Sequence, residues 1–291
     1  MRRRGGFTLT ELLVVMTIIA LLVGLAVPAL NEARIHARLA AEKVRLSVLA
    51  QGVEQFANDM GFYPESAPRL ALRVVPTGGS YPPPQPNPQD QGAHRLVEAL
   101  LGLDYLGFQQ DHWYQVNAAG NPIRWNDAIP AFEPTKRYGP YVQAQSLKIK
   151  PMQEAQADGQ NFVGAGKNDN PVFVDNIESR LQRPILYYRA NKSARLHYYA
   201  GAPQQNFSNC VYNYSDNAVI TQDGSAFIHP EFSDGPKFYK FTWDPRTGPG
   251  SIPDTASYQA SARPYNADGF LLINAGRDHQ YGTADDITNF R

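Results

Sequence analysis

A single carboxylate inside a long apolar run is the first residue that suggests chemistry. Residues 7–30 read FTLTELLVVMTIIALLVGLAVPAL, and Glu11 is the only formally charged side chain among them. An ionisable group in a segment that can enter a membrane is costly, and such groups are usually functional. Nothing within the run can supply a positive charge, so the segment itself offers Glu11 no partner.

A second group of oxygen-bearing side chains lies near the C-terminus. Residues 274–289 contain Asp278, Asp285 and Asp286 in a stretch interrupted by glycines. A hard cation such as Ca²⁺ needs several oxygen ligands at once, and a glycine-containing loop can bring them together. The spacing is not that of an EF-hand. The alternative is that these acids only stabilise turns in a solvated loop.

The sequence lacks the common signatures of catalysis. Its six histidines form neither an HExxH motif nor a short His-x-His pair, and no GxSxG elbow occurs. Residues 164–168, GAGKN, lack the glycine spacing and the hydroxyl residue of a P-loop. Basic and acidic residues number 27 each, so no basic excess points to nucleic acid. The single cysteine, Cys210, can close no intramolecular disulfide. We therefore predict a protein that is not an enzyme and binds no nucleic acid.

The apolar run is the element that must position Glu11. As a helix, residues 7–30 would extend about 36 Å, which is enough to cross a bilayer core. Residues 1–6, MRRRGG, place three arginines directly before it, so the positive-inside rule puts the N-terminus in the cytoplasm. A secretory signal has a shorter apolar core, and a plain signal anchor leaves Glu11 unexplained. Pro28 predicts either a kink or the end of the membrane span.

Residues 31–60 are predicted to continue this helix in amphipathic form. Apolar side chains recur there with a helical period at Ile35, Leu39, Leu46, Leu49, Val53 and Phe56. The charged residues, Glu42 among them, are expected to lie largely off this stripe. Gly61 predicts a C-terminal cap, and Pro64 predicts that the helix has stopped.

The remaining residues, 61–291, are predicted to form an α+β head. A short helix is expected over 94–107, and residues 76–92 read as a proline-rich loop. The predicted strands are 171–175, 184–189, 195–200 and 269–274. The stretch from about 200 to 265 reads as an irregular insertion before the last strand.

The N-terminal residues resemble a known processing signal. Gly6-Phe7-Thr8-Leu9-Thr10-Glu11-Leu12-Leu13-Val14-Val15 is similar to the cleavage and methylation motif of type IV prepilins and type II secretion pseudopilins. The resemblance implies cleavage between Gly6 and Phe7 by a membrane prepilin peptidase, followed by N-methylation of Phe7. It also implies a partner for Glu11, namely the cationic amine of Phe7 in the same or a neighbouring subunit.

Two further segments resemble major pseudopilins. Residues 58–64, NDMGFYP, are similar to the DNGxYP segment that follows the long helix in that family. Residues 271–290 resemble the end of the major pseudopilin domain, which holds Ca²⁺. The positions that carry over as ligands are Asn274, Asp285 and Asp286, with Asp278 as a weaker candidate. The sequence departs from the family where Asn274 replaces a frequent Ser and where the loop before Asp285 is short.

The resemblance implies a pilin fold: an α+β protein whose long N-terminal helix packs on a small antiparallel sheet with long loops. The implied function is structural, as a filament subunit that assembles through this helix, and the resemblance favours type II secretion pseudopilins. Implied partners are copies of the chain, minor pseudopilins, an inner-membrane platform protein and the prepilin peptidase. The chain would cross the inner membrane once, with its head periplasmic or on a cell-surface filament.

The alternative is a surface type IV pilus subunit, or a minor or tip pilin with a ligand-binding face. Aromatic residues cluster along the chain at Tyr187, Tyr188, Tyr198, Tyr199, Phe207, Tyr212 and Tyr214. Exposed side by side, such rings can stack on sugars or anchor a protein partner. Burial of most of them would instead indicate a structural core.

Overall fold

The computed structural model divides the chain into two compact units, residues 1–41 and 42–291. It describes residues 8–66, 91–102, 105–109, 137–151, 171–177, 182–194, 210–221, 235–247 and 263–291. The described helices are α1 (Leu9–Met60), α2 (Gly92–Leu101), α3 (Ala218–Thr221) and α4 (Gly235–Thr242). The described strands are β1 (Phe108–Gln109), β2 (Arg137–Tyr138), β3 (Ile149–Pro151), β4 (Pro171–Phe173), β5 (Leu186–Arg189), β6 (Phe270–Asn274) and β7 (Ile287–Thr288).

Helix α1 contains Pro28 and continues past it to Met60, so this proline does not end the helix. The end comes at Gly61, as predicted. Gly61 has a φ of +79° and donates its N–H to the Ala57 carbonyl at 2.8 Å, which is a C-terminal cap that favours glycine. Pro64 follows outside the helix.

The apolar stripe of α1 is buried in the part that belongs to the second unit. Leu46, Leu49, Val53 and Phe56 are at most 2% exposed. Each such side chain contributes roughly 2 kcal/mol relative to full exposure. The Phe56 ring makes edge contacts with the rings of Phe62, Phe108 and Tyr141, with centroids 5.0–5.9 Å apart. Ile35 and Leu39, in the first unit, are only half-buried.

Glu42 is also buried, and the expectation that it lies off the stripe is wrong. It is 2% exposed. The apolar positions skip from Leu39 to Leu46, and residue 42 falls on the same helical face between them. The Glu42 carboxylate accepts hydrogen bonds from Arg45 at 2.8 Å and from the Asn274 amide at 3.3 Å. Burial raises the pKa of Glu42, although the charge of Arg45 opposes this.

Helix α2 begins at Gly92 and ends at Leu101, so the expected range of 94–107 extends too far toward the C-terminus. Gly102 follows the last helical residue as the C-terminal cap, with its N–H donating to the Glu98 carbonyl. The apolar side chains of α2 are buried, and the helix packs against β4 and β5.

The strands form three small antiparallel sheets, which confirms the predicted α+β class. The largest has the order β5-β6-β7, with Tyr188 opposite Leu271 and Ile273 opposite Thr288. All five residues of the central strand β6 are buried. The other two sheets pair β1 with β2 and β3 with β4.

Three of the four predicted strands are present, over somewhat shorter ranges. Residues 195–200, and residues 76–90 of the predicted loop, lie outside the described residues. The described parts of the stretch 200–265 include the short helices α3 and α4, so that stretch is not wholly irregular.

The aromatic cluster forms part of the core where the structure describes it. Tyr187, Tyr188, Tyr212 and Tyr214 are at most 1% exposed. The Phe238 ring of α4 lies 4.8 Å from the ring of Tyr188 and 5.5 Å from that of Tyr214. Tyr198, Tyr199 and Phe207 lie outside the described residues.

One carboxyl group is buried in this core. Asp216 is 3% exposed and accepts a short hydrogen bond from the Ser66 hydroxyl, which in turn accepts the Arg189 N–H at 2.9 Å. Within the described residues its second oxygen has no hydrogen-bond partner. Burial raises the pKa of Asp216 to about 7, against the opposing effect of the Ser66 bond.

We predict that replacing Asp216 with Asn makes the head less sensitive to rising pH. A carboxyl whose pKa is raised in the folded state binds its proton more tightly there than in the unfolded chain. Its ionisation therefore lowers the free energy of unfolding as the pH rises from about 4 to about 7. Asn cannot ionise, so Asp216→Asn should gain stability relative to wild type by about 2 kcal/mol or more between about pH 4.5 and about pH 8.

Thermal unfolding of the full chain in detergent, followed by circular dichroism at both pH values, measures this difference. The exposed Asp268→Asn is the matched control and should follow wild type. An Asp216→Asn curve that runs parallel to wild type at both pH values would contradict the prediction.

Candidate assembly segment and C-terminal loop

The first unit presents a helix whose apolar side chains are uncovered. Between Leu9 and Leu30, the fourteen large apolar residues are 47–80% exposed. The most apolar stretch of 18 residues in α1 has a mean hydropathy of 2.7. By length and composition the helix is able to cross a membrane. Contiguous apolar surface of this extent marks contact with lipid or with another protein.

Glu11 lies in the first turn of α1, where it takes part in an N-terminal cap. The Thr8 N–H and the Thr8 hydroxyl donate to Glu11 Oε2 at 2.9 and 2.7 Å, and the Glu11 N–H reaches Thr8 Oγ1 at 3.3 Å. This reciprocal arrangement is a capping box. The pattern Thr8-x-x-Glu11 is visible in the sequence, and it is a signal that the sequence analysis did not use.

The proposed partner of Glu11 is outside the part of the chain that the structure describes. Gly6 and Phe7 belong to residues 1–7, so both the cleavage position and the pair between Glu11 and the Phe7 amine stay predictions.

The C-terminal loop is held together by its own carboxylates. Asp285 Oδ2 accepts the N–H groups of Arg277 at 2.7 Å and Asp278 at 3.0 Å. Asp286 Oδ2 accepts the N–H of Gly282 at 2.7 Å, and Asp278 Oδ1 accepts the N–H of Gln280 at 2.7 Å. These bonds close the loop between β6 and β7 and bring three of the four predicted ligand residues into one turn.

Oxygen atoms converge on the hydroxyl of Thr283, which the sequence analysis did not single out. Thr283 Oγ1 lies 2.5 Å from Asp285 Oδ1, 3.3 Å from Asp286 Oδ1 and 3.3 Å from the Gln280 carbonyl oxygen. These four oxygens are of the kind that Ca²⁺ prefers, although Ca²⁺ takes six to eight ligands. Within the described residues, no group of three or more His, Cys, Asp or Glu side chains is arranged to hold a metal.

The side chain of Asn274 has hydrogen-bond partners outside this group. Its amide donates to Glu42, and its carbonyl oxygen accepts the Gly276 N–H at 3.1 Å. Asn274 thus connects the end of β6 to helix α1, a contact between residues 232 positions apart. Sequence reasoning could not find this contact, because only the tertiary fold brings these two residues together.

The acids of the loop differ in how easily they ionise. Burial raises the pKa of Asp286 to about 8, and the neighbouring charge of Asp285 adds to the effect. Burial and the charge of Asp285 also raise the pKa of Asp278. Burial acts on Asp285 in the same direction, but hydrogen bonds from Thr283 and from loop N–H groups outweigh it and lower the pKa of Asp285.

Comparison with known families gives one match. Residues 1–27 match the prokaryotic N-terminal methylation motif. No significant match to a curated protein or to a solved structure was found. The motif covers the N-terminal part of the chain, and together with the long apolar helix and the α+β head it supports a likeness to type IV prepilins and pseudopilins. The motif implies a structural subunit that a prepilin peptidase processes and that enters a filament.

We predict that Gly276→Ala destabilises the head, because the loop turns at this residue. Gly276 has a φ of +66°, and an added Cβ would collide with the carbonyl oxygen of Asp285. Both the backbone conformation and the clash disfavour Ala, so a loss of about 2 kcal/mol or more is expected. Denaturant unfolding of the full chain in detergent measures it.

Gly269→Ala is the matched control for this substitution. Gly269 does not have a positive φ of this kind, and the nearest atom to an added Cβ is 3.7 Å away. Its stability should stay within about 0.5 kcal/mol of wild type. Equal losses in the two variants would mean that the geometry of the Gly276 turn is not responsible.

Proposed function

We propose that the chain is a pseudopilin of a type II secretion system, a subunit that assembles into a short filament through its N-terminal helix. The observation that carries the proposal is the methylation motif at residues 1–27, which leads without interruption into the 52-residue helix α1. The proposed partners are copies of the chain, minor pseudopilins, an inner-membrane platform protein and the prepilin peptidase. The proposed topology is a single pass through the inner membrane with a periplasmic head.

The exposed apolar surface of α1 supports assembly in two environments. In the membrane, the side chains between Leu9 and Leu30 would contact lipid. In a filament they would contact the same helix of other copies. Glu11 is the one charged group in this surface. Pairing it with the Phe7 amine would favour the axial offset between neighbouring helices at which each of the two charges lies beside its partner.

Two observations favour the pseudopilin over a tip pilin with an aromatic ligand face. The described members of the aromatic cluster, Tyr187, Tyr188, Tyr212 and Tyr214, are buried and therefore cannot stack on a ligand. The segment after α1 also has the order that resembles major pseudopilins, with Gly61 as the cap and then Phe62, Tyr63 and Pro64.

Intact mass spectrometry of the chain, isolated from the fractions of its native cells, tests this proposal. Wild-type chain should be found in the membrane fraction at the mass of a protein that begins with N-methylated Phe7. Glu11→Ala should insert and be cleaved, because the leader and the apolar run are intact. It should assemble poorly, because the amine of Phe7 would lose its buried partner, at a cost of about 3 kcal/mol or more.

The cell fraction that contains the mature protein distinguishes a pseudopilin from a surface pilus subunit. Mature protein mainly in sheared surface filaments would identify a surface pilus subunit in place of a pseudopilin. Full-length unprocessed mass in every fraction would contradict the assignment to a processed filament subunit. Normal filament yield from Glu11→Ala would contradict the role given to the carboxylate.

We also propose that a Ca²⁺ ion binds in the C-terminal loop and stabilises it. The resemblance of residues 271–290 and the oxygens gathered around Thr283 support this proposal. Asp285 and Asp286 would supply carboxylate oxygens, with Asp278 beside them. Asn274 would act from a distance, by fixing the end of β6. The ion would add positive charge where Asp286 is costly to ionise.

The prediction for Ca²⁺ is a rise in the melting temperature of the full chain in detergent, because a ligand that binds only the folded state stabilises it by mass action. At a concentration about 100 times the Kd, the gain is about 2.7 kcal/mol. The same titration of Asp286→Asn should give a smaller shift, and Mg²⁺ serves as the control ion. An unchanged wild-type melting temperature at millimolar Ca²⁺ would refute the site.

A further inference from the structure

An acidic groove opens along one side of the part of α1 that belongs to the second unit. It has a volume of about 740 Å³, and its lining includes Gln51, Glu54, Gln55, Asn266 and Asp268. All five of these residues are exposed. Among the described residues that line the groove, Glu54 and Asp268 carry charge and none is basic.

The charges of this groove are only partly used inside the chain. The Tyr63 hydroxyl donates to Glu54 at 3.1 Å, and the Lys192 ammonium lies 5.6 Å from the centre of the Tyr63 ring. Asp268, which also lines the groove, is exposed. A partner that enters the groove with positive charge would therefore meet an exposed carboxylate.

A basic patch lies on the same unit, and it consists of Arg45, Lys148 and Lys150. The Lys148 ammonium donates to Asn176 Oδ1 at 3.1 Å, and the backbone of Asn176 also bonds to Glu42, the partner of Arg45. Burial lowers the pKa of Lys148, and the nearby charges of Lys150 and Arg45 add to this effect. Lys148 is thus close enough to Lys150 and to Arg45 to be repelled by each of them.

The acidic residues close to this patch only partly offset its positive charge. Glu42 and Asp175 are both buried, and burial raises the pKa of each, for Asp175 to about 7. Even with both carboxyls ionised, the three cations outnumber them, so the patch carries net positive charge and attracts an external anion.

The groove and the patch lie on opposite sides of α1. Glu54 and Arg45 are nine residues apart, which is two and a half turns of an α-helix, or about 180° around the axis and about 13 Å along it. One copy can therefore offer its groove to a neighbour on one side and its patch to a neighbour on the other. Such a head-to-tail contact between different surfaces forms an open array and does not close into a dimer.

We propose that the groove of Glu54 and Asp268 receives the basic patch of a second copy of this chain. The contact sets the lateral neighbour in the filament and staggers it by about 13 Å along α1. This inference rests on the proposed function, and it adds the surface by which the heads recognise one another. The apolar helices supply the driving force, whereas the complementary charges select the register and reject others.

Site-directed crosslinking in native cells tests the contact. In a Cys210→Ser background, cysteines replace Asp268 and Lys150 together or singly, and a short bifunctional maleimide joins those in reach. The double variant should give a ladder of dimers, trimers and higher species, because each copy has one neighbour on each side. Each single variant should stay monomeric on a denaturing gel.

Charge reversal gives an independent readout. Asp268→Lys and Lys150→Glu should each lower filament recovery by about fivefold or more, and the double variant should restore it to within about twofold of wild type. Lys240→Glu reverses the charge of an exposed α4 residue that is part of neither surface, so it should have no effect and is the matched control.

The outcomes distinguish this proposal from the one on which it depends. Filaments that form without a crosslinked ladder, or that tolerate Asp268→Lys, overturn the head contact and leave the filament function standing. Crosslinked dimers from a single-cysteine variant also overturn it, because they require a symmetric contact. Wild-type cells without any filament containing the chain overturn both.

Discussion

Uncovered apolar surface on one helix is the constraint on which the rest of this protein depends. The fourteen large apolar residues from Leu9 to Leu30 are about half exposed. Removing that surface from water is worth on the order of 30 kcal/mol. This exceeds the roughly 5–15 kcal/mol by which a whole domain is stable. The segment must therefore be in lipid or against other chains whenever the protein is at rest.

The head is under a different constraint. It has to stay folded whether the apolar part of the helix is in lipid or against other chains. It does so by taking about the last four turns of α1 into its own core through Leu46, Leu49, Val53 and Phe56. A buried carboxylate, Glu42, is placed at the edge of this stripe and joined to Arg45 and Asn274. A buried pair of this kind adds little net stability, but it penalises any other register of the helix on the sheet.

The C-terminal loop and the end of β6 complete that attachment. Asn274 reaches α1, while Asp285 and Asp286 hold the loop that follows by accepting its N–H groups. Loop closure and helix attachment therefore meet at one end of a single strand. A cation that bound to this loop would consequently act on the helix as well, which gives a physical reason for placing oxygen ligands there.

The sequence by itself determined the features that depend on neighbouring residues. The apolar run, the arginines before it, the helical stripe and the stop at Gly61 are all local patterns, and they led to the methylation motif, the long helix and the α+β class. The tertiary structure alone decided which polar side chains face one another. Glu42 meets Asn274 across 232 positions, Ser66 meets Asp216 across 150, and the Thr283 hydroxyl becomes the centre of the acidic loop. Hydrophobic periodicity reports which face of an element is buried, but the partner of a buried polar group is set by the packing of distant elements, which no local pattern encodes.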